Sequence, residues 1–319
     1  MENIHWYPGH MAKAKKAILE DLKLVDIVIE ILDARIPHSS KNHDIDTWTS
    51  KPKIVLLNKV DMADDHATQL WKAHFEQQEN TYVILMNAKN GSGFKEITKL
   101  ADTIMADKLA RLRARGRLFK PTRSMIVGIP NVGKSTFINS YVNKNIAKAA
   151  NKPGVTRSNQ WVKINKSFEL LDTPGMLNPK LENPRIGLKL ALTGAIGYTM
   201  DNQTLAFELL EMLAIKYPQL LMERFKLTTI EGRAGDQLLS DIGRSRGLLT
   251  KGGEPDMNRC ANIVLDEFKN MKIGKITLEL PDEVAQEVAT YEAAQQRKAA
   301  EQKQRDRERK QNYKNSKGK

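Results

Sequence analysis

The feature that most constrains this chain is a glycine pattern near its middle, Gly128-Ile129-Pro130-Asn131-Val132-Gly133-Lys134-Ser135. It matches G-x-x-x-x-G-K-[ST], in which backbone N–H groups wrap phosphates and the helix that follows adds its dipole. A β-branched segment, 123–127, precedes the pattern, and helical spacing begins at Lys134. The pattern therefore predicts a strand, a phosphate-binding loop and a helix. Lys134 would reach the β- and γ-phosphates, and the Ser135 hydroxyl would bind magnesium.

Short apolar segments alternate with helical patterns over residues 1–178, which is typical of a mostly parallel sheet with helices on both faces. The predicted strands are 27–33, 53–57, 82–86, 123–127, about 159–164 and 168–171. The predicted helices between them are 65–79, 93–115 and one from Lys134 onward. The expected fold class is therefore an α/β phosphate-loop domain.

The chain changes character beyond Asn178-Pro179, where helical spacing dominates. Helices are predicted at about 184–196, 203–216, 235–246 and 256–272, with one strand signal at 275–280. We therefore expect a helical domain at 179–282, followed by a charged tail at 283–319 that is helical and then disordered.

A second motif, Asn58-Lys59-Val60-Asp61, stands at the end of the 53–57 strand. The Asp61 carboxylate can accept hydrogen bonds from the ring N–H and the exocyclic amine of guanine, a donor pair that adenine lacks. Asn58 would brace the loop, and the stem of Lys59 would cover the base. One strand later, Asn87-Ala88-Lys89 offers a backbone N–H to the guanine carbonyl. Guanine nucleotides, GTP and GDP, are the predicted ligands.

A third motif, Asp172-Thr173-Pro174-Gly175, ends the 168–171 strand. Asp172 can hold magnesium through water, and the Gly175 N–H can face the γ-phosphate. Thr156 is the threonine placed to complete the magnesium shell. Within the phosphate loop the predicted nucleotide contacts are Asn131, Val132, Gly133, Lys134, Ser135 and Thr136.

The order of these motifs is unusual, because both base-recognition loops precede the phosphate loop. A ligand responds to positions in space and not to chain order, since every loop leaves the carboxyl edge of one parallel sheet. The segment that ends at Gly175 also leads directly into the helical region. Nucleotide state could therefore be transmitted there mechanically.

With this order, the sequence resembles the circularly permuted ribosome-assembly GTPases. The motifs that carry the resemblance are Trp6-Tyr7-Pro8-Gly9-His10-Met11, Asp33-Ala34-Arg35-Ile36-Pro37, Asn58-Lys59-Val60-Asp61, the phosphate loop, Asn151-Lys152-Pro153-Gly154-Val155-Thr156 and Asp172-Thr173-Pro174-Gly175. The resemblance implies a GTPase for late maturation of the large ribosomal subunit, with ribosomal RNA and ribosomal proteins as partners. It also implies activation by the ribosomal particle.

The resemblance also bears on catalysis. Met176 stands where many GTPases have a glutamine that orients water, and a thioether cannot do this. The family implies that His10 acts instead, by positioning water or taking up a proton; the alternative is a structural Pro-Gly-His turn. Asn131 matches GTPases that bind potassium at this loop.

Composition narrows the setting of this chemistry. The net charge is +13, and residues 291–319 hold ten Lys/Arg against four Asp/Glu, which favours a nucleic-acid partner. A single cysteine, Cys260, excludes a disulfide framework. With no signal peptide and no long apolar run, we expect a cytoplasmic, monomeric protein that does not bind membranes. Lys189, Arg244 and Arg246 are candidate RNA-phosphate contacts.

Two other functions stay open at this stage. One is an RNA-binding module that GTP only locks in one conformation, with negligible catalysis. The other is a membrane-associated signalling GTPase, which would require the basic tail to bind anionic lipid.

Overall fold

A computed structural model describes residues 8–116, 121–142, 160–173, 183–197 and 200–317. The chain forms two compact units, Met1–Leu278 and Glu279–Lys319. In chain order the elements are α1 (Pro8–Leu22), β1 (Ile27–Asp33), α2 (Ile45–Trp48), β2 (Lys53–Asn58), α3 (Asp65–Glu76), β3 (Thr81–Leu85), α4 (Phe94–Ala114), β4 (Thr122–Val127), α5 (Lys134–Val142), β5 (Gln160–Lys163), β6 (Phe168–Asp172), α6 (Pro184–Leu192), α7 (Asn202–Lys216), α8 (Pro218–Phe225), α9 (Gly235–Ser245), α10 (Met257–Lys269) and α11 (Pro281–Lys317).

The six strands form one sheet in the order β3-β2-β1-β4-β6-β5. All neighbours are parallel except β5, which pairs antiparallel with β6. The expected α/β fold is confirmed, and each predicted strand in this sheet agrees with the observed one within one residue at either end. The bounds of buried parallel strands can be predicted from sequence because burial on both faces requires a continuous apolar run.

Helices cover both faces of this sheet. Alternate residues of β1 point to opposite sides: Ile29 and Ile31 belong to the large core that includes Phe137 of α5. Val28 belongs instead to a smaller core with Leu22 of α1. The residues of β1 and β2 are buried throughout, as expected for central strands.

The region after the sheet is helical, as the sequence predicts, from α6 to α10. Its core helix, α7, buries Leu205, Leu209 and Leu213, and the side chain of Cys260 in α10 is buried as well. Helix α8 is not among the predicted helices, although Pro218 at its first position and the left-handed Lys226 after it are typical helix limits. The division of residues 1–282 into two domains stays a prediction.

The predicted strand at 275–280 is wrong. These residues belong to no strand of the sheet. They run as an irregular segment whose backbone N–H groups bond to two loops: Ile276 N donates to Met62 O (3.1 Å), and Leu278 N donates to Arg35 O (2.8 Å). The β-branched and apolar residues reflect burial against these loops, and no neighbouring strand completes a ladder.

The second unit contains α11, a helix of 37 residues. The tail was expected to fray into disorder, whereas the helix continues to Lys317. Among the described residues, no helix combines the length and the apolar character needed to cross a bilayer.

Thr277 holds the 275–278 segment against the loops that follow β1 and β2 and against Tyr217 at the start of α8. Its hydroxyl accepts from Asp64 N (3.0 Å) and donates to Ala34 O (3.3 Å). The Tyr217 hydroxyl accepts from Thr277 N and donates to Thr277 O, each over 3.0 Å. One residue therefore ties the start of α8 to the loops that follow β1 and β2.

We expect Thr277→Val to lower the free energy of unfolding by about 1–3 kcal/mol, because the isosteric side chain leaves Asp64 N and Ala34 O unpaired. Urea denaturation measures the change. Thr290→Val, at an exposed position of α11, is the control, with an expected effect within about 0.5 kcal/mol. Equal midpoints for the two variants would contradict the role assigned to Thr277.

Candidate nucleotide site

A cavity of about 530 Å³ lies at the carboxyl edge of the parallel strands. Nine of the predicted site residues line it: Asn58, Lys59, Asp61, Asn87, Ala88, Lys89, Asn131, Gly133 and Thr136. The other lining residues, which the sequence analysis did not assign to the site, are Arg35, Met62, Thr193, Gly194, Asp266, Lys269 and Asn270. Motifs that are distant in the chain thus converge on one cavity.

The Asn58 side chain joins the three loops of the site. It is buried at the end of β2. Its Nδ2 donates to Val132 O in the phosphate loop (2.7 Å), and its Oδ1 accepts from Ala88 N in the second base loop (3.0 Å). The amide has one donor end and one acceptor end, so a single side chain satisfies one group of each loop. The expected bracing role follows directly from these bonds.

Lys59 ties the same loop to the phosphate loop and to β1. Its ammonium donates to Asn131 O (2.9 Å) and to Asp33 Oδ2 (2.8 Å). Burial lowers the pKa of Lys59, while the negative charge of Asp33 opposes that shift. With the ammonium held in this way, the stem of Lys59 lines the cavity.

Asp33 is shared by two cations. Its carboxylate accepts from Arg35 Nε (3.0 Å) and Arg35 Nη2 (2.8 Å), in addition to Lys59. Burial acts to raise the pKa of Asp33, but Arg35 and Lys59 outweigh it and hold this pKa well below its usual range. Arg35 Nη1 is buried without a hydrogen-bond partner. The network fixes the base loop relative to β1.

The phosphate loop requires unusual backbone geometry. Gly133 has φ +101°, and a Cβ there would overlap Asn58 Nδ2. Asn131 has φ +62°, in the left-handed region that asparagine tolerates better than most residues. Its Nδ2 donates to Gly194 O (2.8 Å), in the turn after α6. The loop is therefore held from the base side by Asn58 and from the helical side by Gly194.

Lys134 and Asp172 form a buried pair at the phosphate end. Lys134 Nζ lies 3.2 Å from Asp172 Oδ1, yet the ammonium and both carboxylate oxygens lack hydrogen bonds of good geometry. Burial lowers the pKa of Lys134 and raises the pKa of Asp172. Buried charges without hydrogen bonds favour binding of external partners, which would be an anion at Lys134 and a hydrated cation at Asp172.

The remaining predicted residues stand as follows. Ser135 and Thr136 lie in the first turn of α5, and Val132 is buried with its carbonyl bonded to Asn58. Thr156 and Gly175 lie outside the described residues. The backbone of His10 lies in the first turn of α1, and its side chain is outside the described part.

Two of the candidate RNA contacts are corrected by the structure. Lys189 is buried on α6 among leucines, so its ammonium is not presented on the surface. Arg246 Nη1 is bound to Glu267 Oε1 (2.6 Å), a carboxylate that also binds Arg224. Arg244 remains exposed, 3.6 Å from Glu254.

Comparison with known proteins agrees with this geometry. Residues 123–219 match a family described as 50S ribosome-binding GTPase. Ribosome biogenesis GTPase A of Bacillus cereus is 45% identical over 91% of this chain and 98% of its own length. The protein of the same name from Thermotoga maritima is 32% identical over 88% of this chain and 95% of its own.

Solved structures show the same likeness. A GDP-bound structure of YlqF is 28% identical and superposes with a TM-score of 0.60 over 83% of this chain and 99% of that one. A GNP-bound YlqF from Thermotoga maritima, also 28% identical, gives 0.57 over 84% and 98%.

The fold and the site define a circularly permuted phosphate-loop GTPase, in which β1–β3 carry the base loops and β4–β6 carry the phosphate end. The identity over nearly the full length of the relatives goes further. The chain belongs to the ribosome biogenesis GTPase A family, and the resemblance read from its motifs is confirmed.

We expect Gly133→Ala to reduce GDP affinity at least about 100-fold, because the new Cβ meets Asn58 Nδ2 and the residue has a left-handed φ. Calorimetric titration with GDP measures the loss. Gly252→Ala is the control, since its nearest neighbour would be at an ordinary 3.8 Å. Full GDP affinity in Gly133→Ala would show that the loop can relax around a side chain.

Proposed function

We propose that this protein hydrolyses GTP in the cytoplasm as a factor for late maturation of the large ribosomal subunit, that it acts as a monomer, and that the ribosomal particle activates it. The observation that carries the proposal is the cavity in which a guanine-reading loop and a phosphate loop converge. The names of its relatives and the 50S description of the matched family support the ribosomal partner.

Guanine selectivity is assigned to Asp61. Asp61 lines the cavity, and within the described part of the chain its carboxylate has no hydrogen bond of its own. The charge of Asp61 interacts with that of Arg35, and a carboxylate without a hydrogen bond at the base site can accept the two N–H donors of guanine. The YlqF structures, bound to GDP and to GNP, are consistent with this ligand class.

Magnesium would be held by the Ser135 hydroxyl, with Asp172 acting through water and Thr156 completing the shell. The buried carboxylate oxygens of Asp172, which make no hydrogen bond of good geometry, fit this role. An ion held by these residues would supply positive charge against the negative charge that develops on the phosphates during hydrolysis. Asn131 donates through Nδ2 to Gly194, which leaves its Oδ1 as the acceptor for potassium.

The direction of α1 supports a role for His10. Only residues 23–26 separate α1 from β1, and Leu22 at the end of α1 shares a core with Val28 near the start of β1. Lys51 Nζ fixes the end of α1 by donating to Leu22 O and Val25 O. Twelve helical residues span about 18 Å, close to the length of β1. From this short connection we infer that α1 runs antiparallel to β1, with its first turn and His10 toward the edge that carries the phosphate loop.

We expect Asp61→Asn to weaken GDP binding at least about tenfold and to favour xanthosine diphosphate, because the amide can donate to the C2 carbonyl of xanthine but cannot accept both guanine donors. Competition titration of the two nucleotides measures the ratio. Asp65→Asn removes an exposed carboxylate bound to Lys275 and is the control. An unchanged preference for GDP in Asp61→Asn would remove Asp61 from base recognition.

The function is tested by GTP turnover with and without purified large-subunit precursors, in potassium and in sodium. We expect particles to stimulate turnover, and His10→Ala to reduce the stimulated rate by about 10²–10⁴-fold, as for loss of a general acid–base group. His66→Ala, at an exposed position of α3, is the control. Turnover that particles leave unchanged in either salt would refute the ribosomal role.

A further inference from the structure

The base end of the cavity has a wall that the known GTPase motifs do not supply. Asp266 and Lys269 of α10, with Asn270 after it, line the same cavity as Asp61 and the 87–89 loop. Lys134 and Asp172, which mark the phosphate end, do not line it. Asn131 and Gly133 of the phosphate loop line the cavity as well, but the segment after α10 bonds to Met62, next to Asp61, which puts the end of α10 on the base side.

This wall contacts the loop that follows β1 and the base loop that follows β2. The Arg35 guanidinium lies 5.8 Å from the ring centre of Phe268, the residue before Lys269. Beyond α10, Ile276 N donates to Met62 O, and Thr277 bonds to Asp64 and Ala34. The end of α10 and the segment that follows it are thus in contact with the loops that follow β1 and β2.

Lys269 is the available cation of this wall. Asp266 already accepts from Asn270 Nδ2 (2.7 Å) and lies 3.6 Å from Lys272. Within the described residues, Lys269 has no ion pair or hydrogen bond, and its ammonium keeps three donors. Guanine presents N7 and O6 as acceptors, and ribose presents hydroxyl oxygens.

We propose that Lys269 contacts the guanosine part of the bound nucleotide, so that the helical region itself forms one side of the nucleotide site. The proposal rests on the nucleotide site proposed above and adds a residue to it. By linkage, nucleotide binding then stabilises the docked position of α10, and docking of α10 raises nucleotide affinity by the same factor.

The test is calorimetric titration of the full-length protein with GDP and with a non-hydrolysable GTP analogue. We expect Lys269→Ala to weaken both ligands by the same factor, about three- to tenfold, the size of one net hydrogen bond. Equal loss is expected because the contact lies at the guanosine end, which both ligands share. Retained affinity in Lys269→Ala, or a loss confined to the triphosphate, would overturn the proposal.

Lys272→Ala is the matched control. Lys272 stands three residues further on, pairs with Asp266 and does not line the cavity. The Lys272→Ala variant should bind both ligands with wild-type affinity. A loss of affinity equal to that of Lys269→Ala would show a general charge effect and would overturn the proposal. Failure of the wild type to bind GDP would refute the proposed nucleotide site. Normal GDP binding by the wild type and by both variants would refute only the role of Lys269.

Discussion

The site depends on the hydrogen bonds that Asn58 and Lys59 make to the phosphate loop. Asn58 donates to Val132 O and Lys59 donates to Asn131 O, although more than 70 residues separate the partners along the chain. A phosphate loop has little core of its own and needs its carbonyls satisfied from outside. In this chain the base-recognition motif supplies those bonds, so base reading and phosphate binding are parts of one hydrogen-bonded structure. These bonds require glycine at position 133, because any side chain there would displace Asn58.

Much of this arrangement could be predicted because the constraints are local. A strand buried on both faces needs an uninterrupted apolar run, and this predicts β1, β2, β4 and β6 within a residue. The motif residues follow strand ends, and parallel strands bring those ends to one edge. The sequence therefore predicts Asn58 and Lys59 in one site with the phosphate loop.

The errors concern residues whose roles are set by distant partners. Arg246 looks like a surface cation in sequence, but it completes a pair of arginines around Glu267, 21 residues away. Residues 275–280 have strand composition, yet what buries them is a pair of loops, and sequence pattern does not reveal which neighbour provides burial. The end of α10 was missed for the same reason, since no motif marks a helix that reaches a cavity from another region.

The sheet order has a consequence for how the protein is made. Residues 27–85 build β1–β3 and residues 122–172 build β4–β6, so each contiguous stretch forms one half of the sheet and the halves meet between β1 and β4. Chains are synthesised from the N-terminus, so the half that reads the base leaves the ribosome before the half that holds phosphate. Neither half alone offers a complete site. The nascent chain can therefore bind its nucleotide only after β4 has paired with β1.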